Sequence, residues 1–341
     1  MSFIRNPDYW DTTTIDGVEY QMPFMDRVVL PIIPDPATRL AALKTGGVDF
    51  SLSVLPAQWA MLDRVAPELQ KISVAGGASA RIVFRCDEPP FDDVRVRRAM
   101  MIGTNLEEFN KLWMATELPM HWFPTLAENP AYVPLEELPA DIRILYDYNP
   151  PLARQLLAEA DYPEGEIKLF TNLSGDDPLA IDTAALIKDQ WAKIGIEVEI
   201  DAREQIDYYR VKYSHPPLWT GTVYDFYQQA SPYLALSMSH KTGSDLNYGV
   251  YSSPELDALI AKIELELDVD EQTLLIKEAS LLLMRDVASI PCSLSPIRIY
   301  WWPWLKNYYG EYTIQDDCCF AAILPYIWID QDLKEALTGK R

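Results

Sequence analysis

Ala184-Ala185-Leu186-Ile187-Lys188-Asp189-Gln190-Trp191-Ala192-Lys193-Ile194-Gly195-Ile196-Glu197-Val198-Glu199-Ile200 is the stretch that decides the fold class. Its first part reads as the end of a helix that opens at Pro178 and stops at Gly195, a residue that accepts positive φ without a Cβ clash. Its last part alternates, with Ile196, Val198 and Ile200 on one face, as a half-buried strand does. Upstream, Glu166–Phe170 is a second strand. Strand, helix and strand in this order make a βαβ unit, because parallel strands need a crossover of a dozen or more residues. The chain is therefore expected to be α/β.

Working outward, Val28–Ile33 is an apolar, β-branched run suited to a buried strand. Asp35-Pro36 opens a helix carrying Leu40 and Leu43, and Gly46-Gly47 closes it. Val48–Leu52 and Arg81–Arg85 read as strands, the latter with Ile82 and Phe84 on one face. Asn149-Pro150 opens the helix of Leu152, Leu156 and Leu157, and another helix starts at Asp270. The Pro-rich stretch 119–151 reads as a long surface excursion. Ser253 stands at an N-cap, Pro254 at the first helical position, and Glu255 and Asp257 in a first turn where the helix dipole favours acids. Leu256, Leu259, Ile260, Ile263 and Leu267 then form one apolar face. Asp92-Asp93 precedes a helix and reads as capping, and Thr104 with Glu107 has the spacing of a capping box.

The balance of 51 acidic against 29 basic residues gives a formal charge of −22, which excludes nucleic acid and an anionic membrane surface as partners. No apolar run reaches the ~20 residues that cross a bilayer. The cysteines, Cys86, Cys292, Cys318 and Cys319, do not define a redox compartment; vicinal Cys318 and Cys319 are badly placed for a disulfide with each other. There is no CxxC pair, and His121, His215 and His240 are scattered, so no structural zinc is expected. Asp316-Asp317 reads as loop rather than a metal site. No catalytic triad spacing, dinucleotide fingerprint or phosphate loop occurs, so neither a catalytic residue nor a cofactor is expected. Met1–Arg5 lacks the apolar core of a signal peptide.

Several stretches, in order, resemble one family. Asn6-Pro7-Asp8-Tyr9-Trp10 is similar to its "NPdYW", and Ile33-Pro34-Asp35-Pro36-Ala37-Thr38-Arg39 to its "ipDpatr". Pro90-Phe91-Asp92-Asp93-Val94-Arg95-Val96-Arg97-Arg98-Ala99 resembles "PfdDvrVRqA". Trp191–Val198 resembles "wakiGIeV", and Asn247–Ile260 resembles "N...YsnPelDaLi". The family is that of the family 5 extracellular solute-binding proteins, which deliver peptides, nickel complexes or sugars to ABC importers. The resemblance implies a two-lobe, periplasmic-binding-protein-like α/β fold of type II. Lobe I would be residues 1–95 with the return 296–341, where Trp301, Trp302 and Trp304 belong to its core; lobe II would be 96–295. It further implies closure on a peptide or other small-molecule solute, an ABC permease as partner, and a periplasmic or extracytoplasmic location, with a lipid anchor in the full-length form. In that family "NPdYW" stands well inside the sequence, so an N-terminal portion is expected to be missing and lobe I to be incomplete.

For the solute site the resemblance points to the aromatic-rich segment 208–233, and within it to Trp219, Tyr224, Asp225 and Tyr227. Aromatic rings there would stack on or clamp a solute. The plainer reading puts Tyr224 and Phe226 on a strand facing a core, with Asp225 between them at the surface. Peptide binders of the family usually show "W...D..DP", whereas this chain has Ser231-Pro232, which sets recognition of a peptide amine apart from the usual pattern. The alternatives are a hydrolase using acids of the same cleft, for which no paired-carboxylate motif is present, and a degenerate fragment that binds nothing.

Overall fold

In the computed structural model the opening stretch folds as a helix over Pro178–Ala192, a turn in which Gly195 takes φ +86°, and a strand over Glu197–Arg203. The structure describes residues 1–52, 54, 56–113, 129–162, 166–172, 178–227, 231–311 and 320–339, with the side chains of 74–80, 166–172, 178–179, 226–227, 293–297 and 320–321 excepted. The strands are β1 (Ser2–Ile4), β2 (Thr12–Ile15), β3 (Val18–Gln21), β4 (Arg27–Val29), β5 (Phe50–Ser51), β6 (Gln70–Phe84), β7 (Glu166–Asn172), β8 (Glu197–Arg203), β9 (Thr222–Tyr227), β10 (Ser289–Trp301), β11 (Leu305–Lys306) and β12 (Trp328–Ile329). The helices are α1 (Pro36–Lys44), α2 (Pro56–Val65), α3 (Val94–Ile102), α4 (Leu106–Leu112), α5 (Ala140–Arg143), α6 (Pro150–Glu159), α7 (Pro178–Ala192), α8 (Gln205–Lys212), α9 (Pro232–Ser239), α10 (Pro254–Leu265), α11 (Val269–Asp286), α12 (Phe320–Ile323) and α13 (Gln331–Thr338).

The contacts divide the chain into two units, one of Met1–Ala75 with Pro296–Arg341 and the other of Gly76–Ser295. Lobe I is expected to run to residue 95. Residues 76–95 instead belong to the second unit, because β6 runs on to Phe84 and carries Ile82 and Phe84 into that unit's core. Pro89-Pro90 marks a turn inside the unit.

In the first unit the C-terminal return packs on residues from the front of the chain. Trp302 and Trp304 stack at 4.4 Å in a core with Leu43, Leu62 and Leu69. Their indole N–H groups donate to the Leu43 carbonyl and the Asp49 carboxylate, each at 2.8 Å. Trp301 lies in an adjoining core with Ile299, Leu305, Tyr308 and Ile327. The buried strand expected over Val28–Ile33 is not formed. Among the described residues only Arg27–Val29 forms a strand there, antiparallel to β1, and Val29 and Ile32 are 53% and 86% exposed.

In the second unit the strand order is β10-β6-β9-β7-β8. β7 pairs parallel with β8 and with β9, and β6 pairs antiparallel with β9. Helix α7 is the crossover from β7 to β8, and its Ile187 and Trp191 join Ile82, Phe84 and Tyr224 in the largest core. Helices α10 and α11 close a second core around Leu256, Ile260, Ile276 and Leu283.

Ser253 caps α10 by accepting from the Leu256 N–H, with Pro254 at its start, and Asp93 caps α3. Leu267, counted on the apolar face of α10, lies beyond its end and is 93% exposed. The capping box of Thr104 and Glu107 is absent. Asn105 is the N-cap, and the Thr104 hydroxyl bonds the Met100 carbonyl and receives the Trp191 indole N–H. Part of the supposed surface excursion is built structure, with Ile142 and Leu145 buried in the main core; residues 119–128 lie outside those described.

Candidate functional site

Strand β9 joins the candidate residues, and its neighbour β6 decides their surroundings. In the antiparallel register Arg81 stands opposite Asp225, Ile82 opposite Tyr224 and Val83 opposite Val223. Side chains alternate between faces along a strand. One face therefore carries Ile82, Phe84 and Tyr224 into the main core, and the other carries Arg81, Val83, Val223 and Asp225.

That second face is covered by α8 and by the segments holding Trp219 and Tyr248, so charge is buried there. Arg81 and Asp225 are only 2% and 1% exposed. The Arg81 Nε and Nη2 groups donate to Asp225 Oδ2 at 3.0 and 2.9 Å. Lys212 Nζ, from the end of α8, donates to the other oxygen, Oδ1. The Lys212 ammonium also lies over the rings of Tyr248 and Tyr213, at 4.7 and 4.9 Å, so the aromatic faces share its charge. A buried carboxylate with cations on both oxygens is the arrangement that offsets desolvation.

The tyrosines around this group are held neutral. Burial, followed by the negative charge of Asp225, raises the Tyr208 hydroxyl far above its ordinary value, and the same two causes raise Tyr248. The Tyr208 hydroxyl donates to the Tyr224 carbonyl, tying α8 to β9. His240 is pulled down to about 3, by burial first and then by the charge of Arg81. Its Nδ1 lies 3.0 Å from the Ala235 carbonyl, which only accepts, so the neutral ring carries its proton on Nδ1.

Trp219 is buried against Val83, Tyr208 and Val223. The Arg85 guanidinium lies 5.4 Å over its ring and donates to its carbonyl, while binding Asp87 at 2.7 Å and Glu88 at 2.8 Å. The Trp219 indole N–H has no hydrogen-bond partner among the described residues. Tyr224 is equally buried, on the opposite face of the sheet. Asp225, a candidate solute contact that the plainer reading puts at the surface, is instead at the centre of the ion group. Tyr227 sits at the end of β9 opposite Ser79. Thus the structure places Trp219 and Asp225 on one face, Tyr224 on the other, and neither buried ring on a surface.

Sequence reasoning missed Arg81, Lys212, Tyr208, Tyr248 and His240. One signal was available: Arg81 and Arg85 alternate with Ile82 and Phe84 inside an apolar strand, and a cation so placed has to find a buried partner. Among the described residues no cluster of His, Cys, Asp or Glu could hold a metal ion, and no helix is long and apolar enough to cross a membrane.

The family model described as bacterial extracellular solute-binding proteins, family 5 middle, matches residues 1–245. Among curated proteins the chain is 28% identical over 304 residues to heme-binding protein A of Haemophilus influenzae, covering 86% of this chain and 52% of that relative. It is 26% identical over 320 residues to the dipeptide-binding protein of Pseudomonas aeruginosa, covering 91% and 55%. The chain thus spans about half the length of the curated relatives it matches. Among solved structures, the oligopeptide-binding protein AppA of Bacillus subtilis, in complex with a nonapeptide, superposes with a TM-score of 0.74 at 18% identity, covering 90% of this chain and 60% of that one. The periplasmic binding protein DppA of Helicobacter pylori, in complex with the peptide STSA, gives 0.69 at 21%, covering 90% and 57%.

Proposed function

The chain belongs to the family 5 bacterial extracellular solute-binding proteins, and from that premise we propose that it is the solute-capturing component of an ABC importer. It takes a peptide-like or other small solute on the extracytoplasmic side and delivers it to a membrane permease. The observation that carries this reading is the family match over residues 1–245, supported by relatives whose names give heme, dipeptides, di- and tripeptides and glutathione as ligands. The two units correspond, in this proposal, to the two lobes.

Within that reading the four residues named from sequence take different parts. Asp225 has both oxygens bound by Arg81 and Lys212, so it supports β9 and does not receive a solute ammonium. Trp219 and Tyr224 pack the two faces of the same strand. Tyr227, at the strand end, is the proposed solute contact.

Thermal denaturation with heme, glutathione, dipeptides and a nonapeptide tests the proposal. A bound ligand present at 100 times its Kd adds about 2.7 kcal/mol of stability. One of these probes is expected to raise the transition saturably, with Tyr227→Ala weakening that response and leaving the unliganded transition unchanged. Release of free amino acids from the peptides would instead mark a hydrolase.

A further inference from the structure

We propose that Val250 and Val287 are the two jaws of a strained latch, closed by the Tyr251–Asp286 hydrogen bond, that holds the second-unit ends of β6 and β10 together and opens in one cooperative step. The starting observation is backbone conformation. Among the described residues five other than glycine take positive φ, and three of them are Asp or Asn, whose short polar side chains tolerate it. The other two are Val250, at φ +51°, and Val287, at φ +48° and ψ +56°. A β-branched side chain in the left-handed region is costly, so the surrounding structure has to enforce it.

Both valines stand beside a strand that runs from one unit into the other. β10 starts at Ser289, two positions after Val287, and β6 ends at Phe84. The Phe84 N–H donates to the Ala288 carbonyl at 3.3 Å, joining the two strands at this end. Gly249, next to Val250, lies against β6. The Cys86 N–H donates to its carbonyl at 2.8 Å, and a Cβ there would be 2.5 Å from the Phe84 carbonyl oxygen. Each valine is thus tied to one strand, Val287 along the chain and Val250 through Gly249.

Each is also held from the side. The Asn247 side chain accepts from the Tyr251 N–H at 3.0 Å and donates to the Tyr251 carbonyl at 2.7 Å, which fixes the turn containing Val250. Arg97 Nε donates to the Asp286 and Val287 carbonyls at 3.0 and 3.2 Å, and its Nη1 to the Phe91 carbonyl at 2.6 Å, which fixes the end of α11. Between the two halves the Tyr251 hydroxyl donates to Asp286 Oδ2 at 2.6 Å. Tyr251, Arg97, Asn247 and Val287 are each 6% exposed or less, so these bonds are shielded from water. The Val287 side chain packs in the main core, which offsets part of its strain; Val250 is only half-buried. Closing the Tyr251–Asp286 bond holds two unfavourable conformations, and breaking it lets both relax. Opening therefore passes from one strand to the other, where a ladder without strain would fray residue by residue.

Native-state hydrogen exchange on the full 341-residue chain tests this, read at the amides of Phe84, Cys86, Tyr251 and Val287. These amides are expected to share one opening equilibrium. Tyr251→Phe is expected to lower their protection together by about tenfold or more, about 1.4 kcal/mol, while amides of α7 such as Ile187 keep theirs. Asp286→Asn retains an acceptor; it is expected to act in the same direction with a smaller loss, and it carries the test if Tyr251→Phe does not fold. Val250→Asn substitutes a residue that accepts this φ, and is expected to raise protection at Phe84 and Val287 by about threefold. That gain is expected to vanish in the Tyr251→Phe background, where the latch is already open. Protection values that vary independently, a Val250→Asn effect confined to residues 247–251, or a gain that persists without the Tyr251 hydroxyl would overturn the proposal.

Discussion

Replacing Asp225 by alanine removes the carboxylate to which both Arg81 and Lys212 are bonded, in a setting where all three residues are 5% exposed or less. Removing one partner of a buried ion pair costs about 3–5 kcal/mol, because the remaining charge stays buried and loses its compensation. Here two cations lose it at once, which argues for the upper end of that range. Against a folded-state stability of roughly 5–15 kcal/mol, the loss is large enough to bring the second unit close to its unfolding threshold. For a unit of this size each kcal/mol lowers the transition by about 2–4 °C, so Asp225→Ala should melt roughly 6–20 °C earlier. Circular dichroism gives the transition, and hydrogen exchange at the β6 and β9 amides assigns it to the second unit. A combined Arg81→Met, Lys212→Met and Asp225→Leu variant should recover most of the loss, since apolar groups of similar volume often replace buried ions without penalty. A single Asp225→Ala variant that loses less than about 1 kcal/mol, or a triple variant no better than the single one, would refute the claim that these charges depend on one another.

Three further outcomes follow from local geometry. Ser253→Ala deletes the side chain that caps α10 and should lower stability by about 1 kcal/mol in urea titration, while Ser253→Gly should cost only a few tenths. A methyl group added by Gly249→Ala would sit 2.5 Å from the Phe84 carbonyl oxygen and 2.8 Å from Val83 Cγ1, an overpacking that should cost about 1–3 kcal/mol in the same assay. His240 has its folded pKa depressed to about 3, below the unfolded value near 6.5, so between those values the unfolded chain binds the extra proton; its contribution is full above pH ~6.5 and is lost as pH falls toward 3, with a slope of at most about 1.4 kcal/mol per pH unit. A His240→Asn variant should show a shallower fall in stability between pH ~6.5 and ~5, and an unchanged slope there would contradict the assignment.

The α/β class and the βαβ unit were legible because their signals are local. Gly195 takes positive φ in the turn that follows α7, and the alternation of Ile196, Val198 and Ile200 survives in the structure with Ile196 and Val198 buried. Helix starts with a proline and a preceding cap, at Asp35, Asn149 and Ser253, were legible for the same reason. The capping residue of α4 was not, because Thr104 and Asn105 are both competent caps. The choice fell to Asn105 when Trp191, 87 positions away, took the Thr104 hydroxyl. The Val28–Ile33 run shows the opposite limit. Apolar, β-branched composition says that a segment is suited to burial, but burial needs neighbours. Among the described residues only β1 pairs with the strand, and Val29, Leu30 and Ile32 remain exposed while Val28 and Ile33 are half-buried.

The burial of the candidate segment was not legible in the sequence, and the reason lies in β6. Reading Tyr224, Asp225 and Phe226 alone, an acid between two aromatics belongs at the surface, because an unpaired buried carboxylate is costly. That inference fails once the partner strand is known. The register sets Arg81 directly opposite Asp225, and the end of α8 brings Lys212 to the remaining oxygen. No spacing along the sequence reveals this, since the pairs are 144 and 13 positions apart. What the sequence did hold was the mismatch on β6 itself. Arg81 lies in β6 and Arg85 directly follows its end, both toward the face that also holds Val83 and Trp219, where each had to meet an acceptor. Two arginines four positions apart, on one face at the end of an apolar strand, are thus a demand for acids, and Asp225, Asp87 and Glu88 answer it.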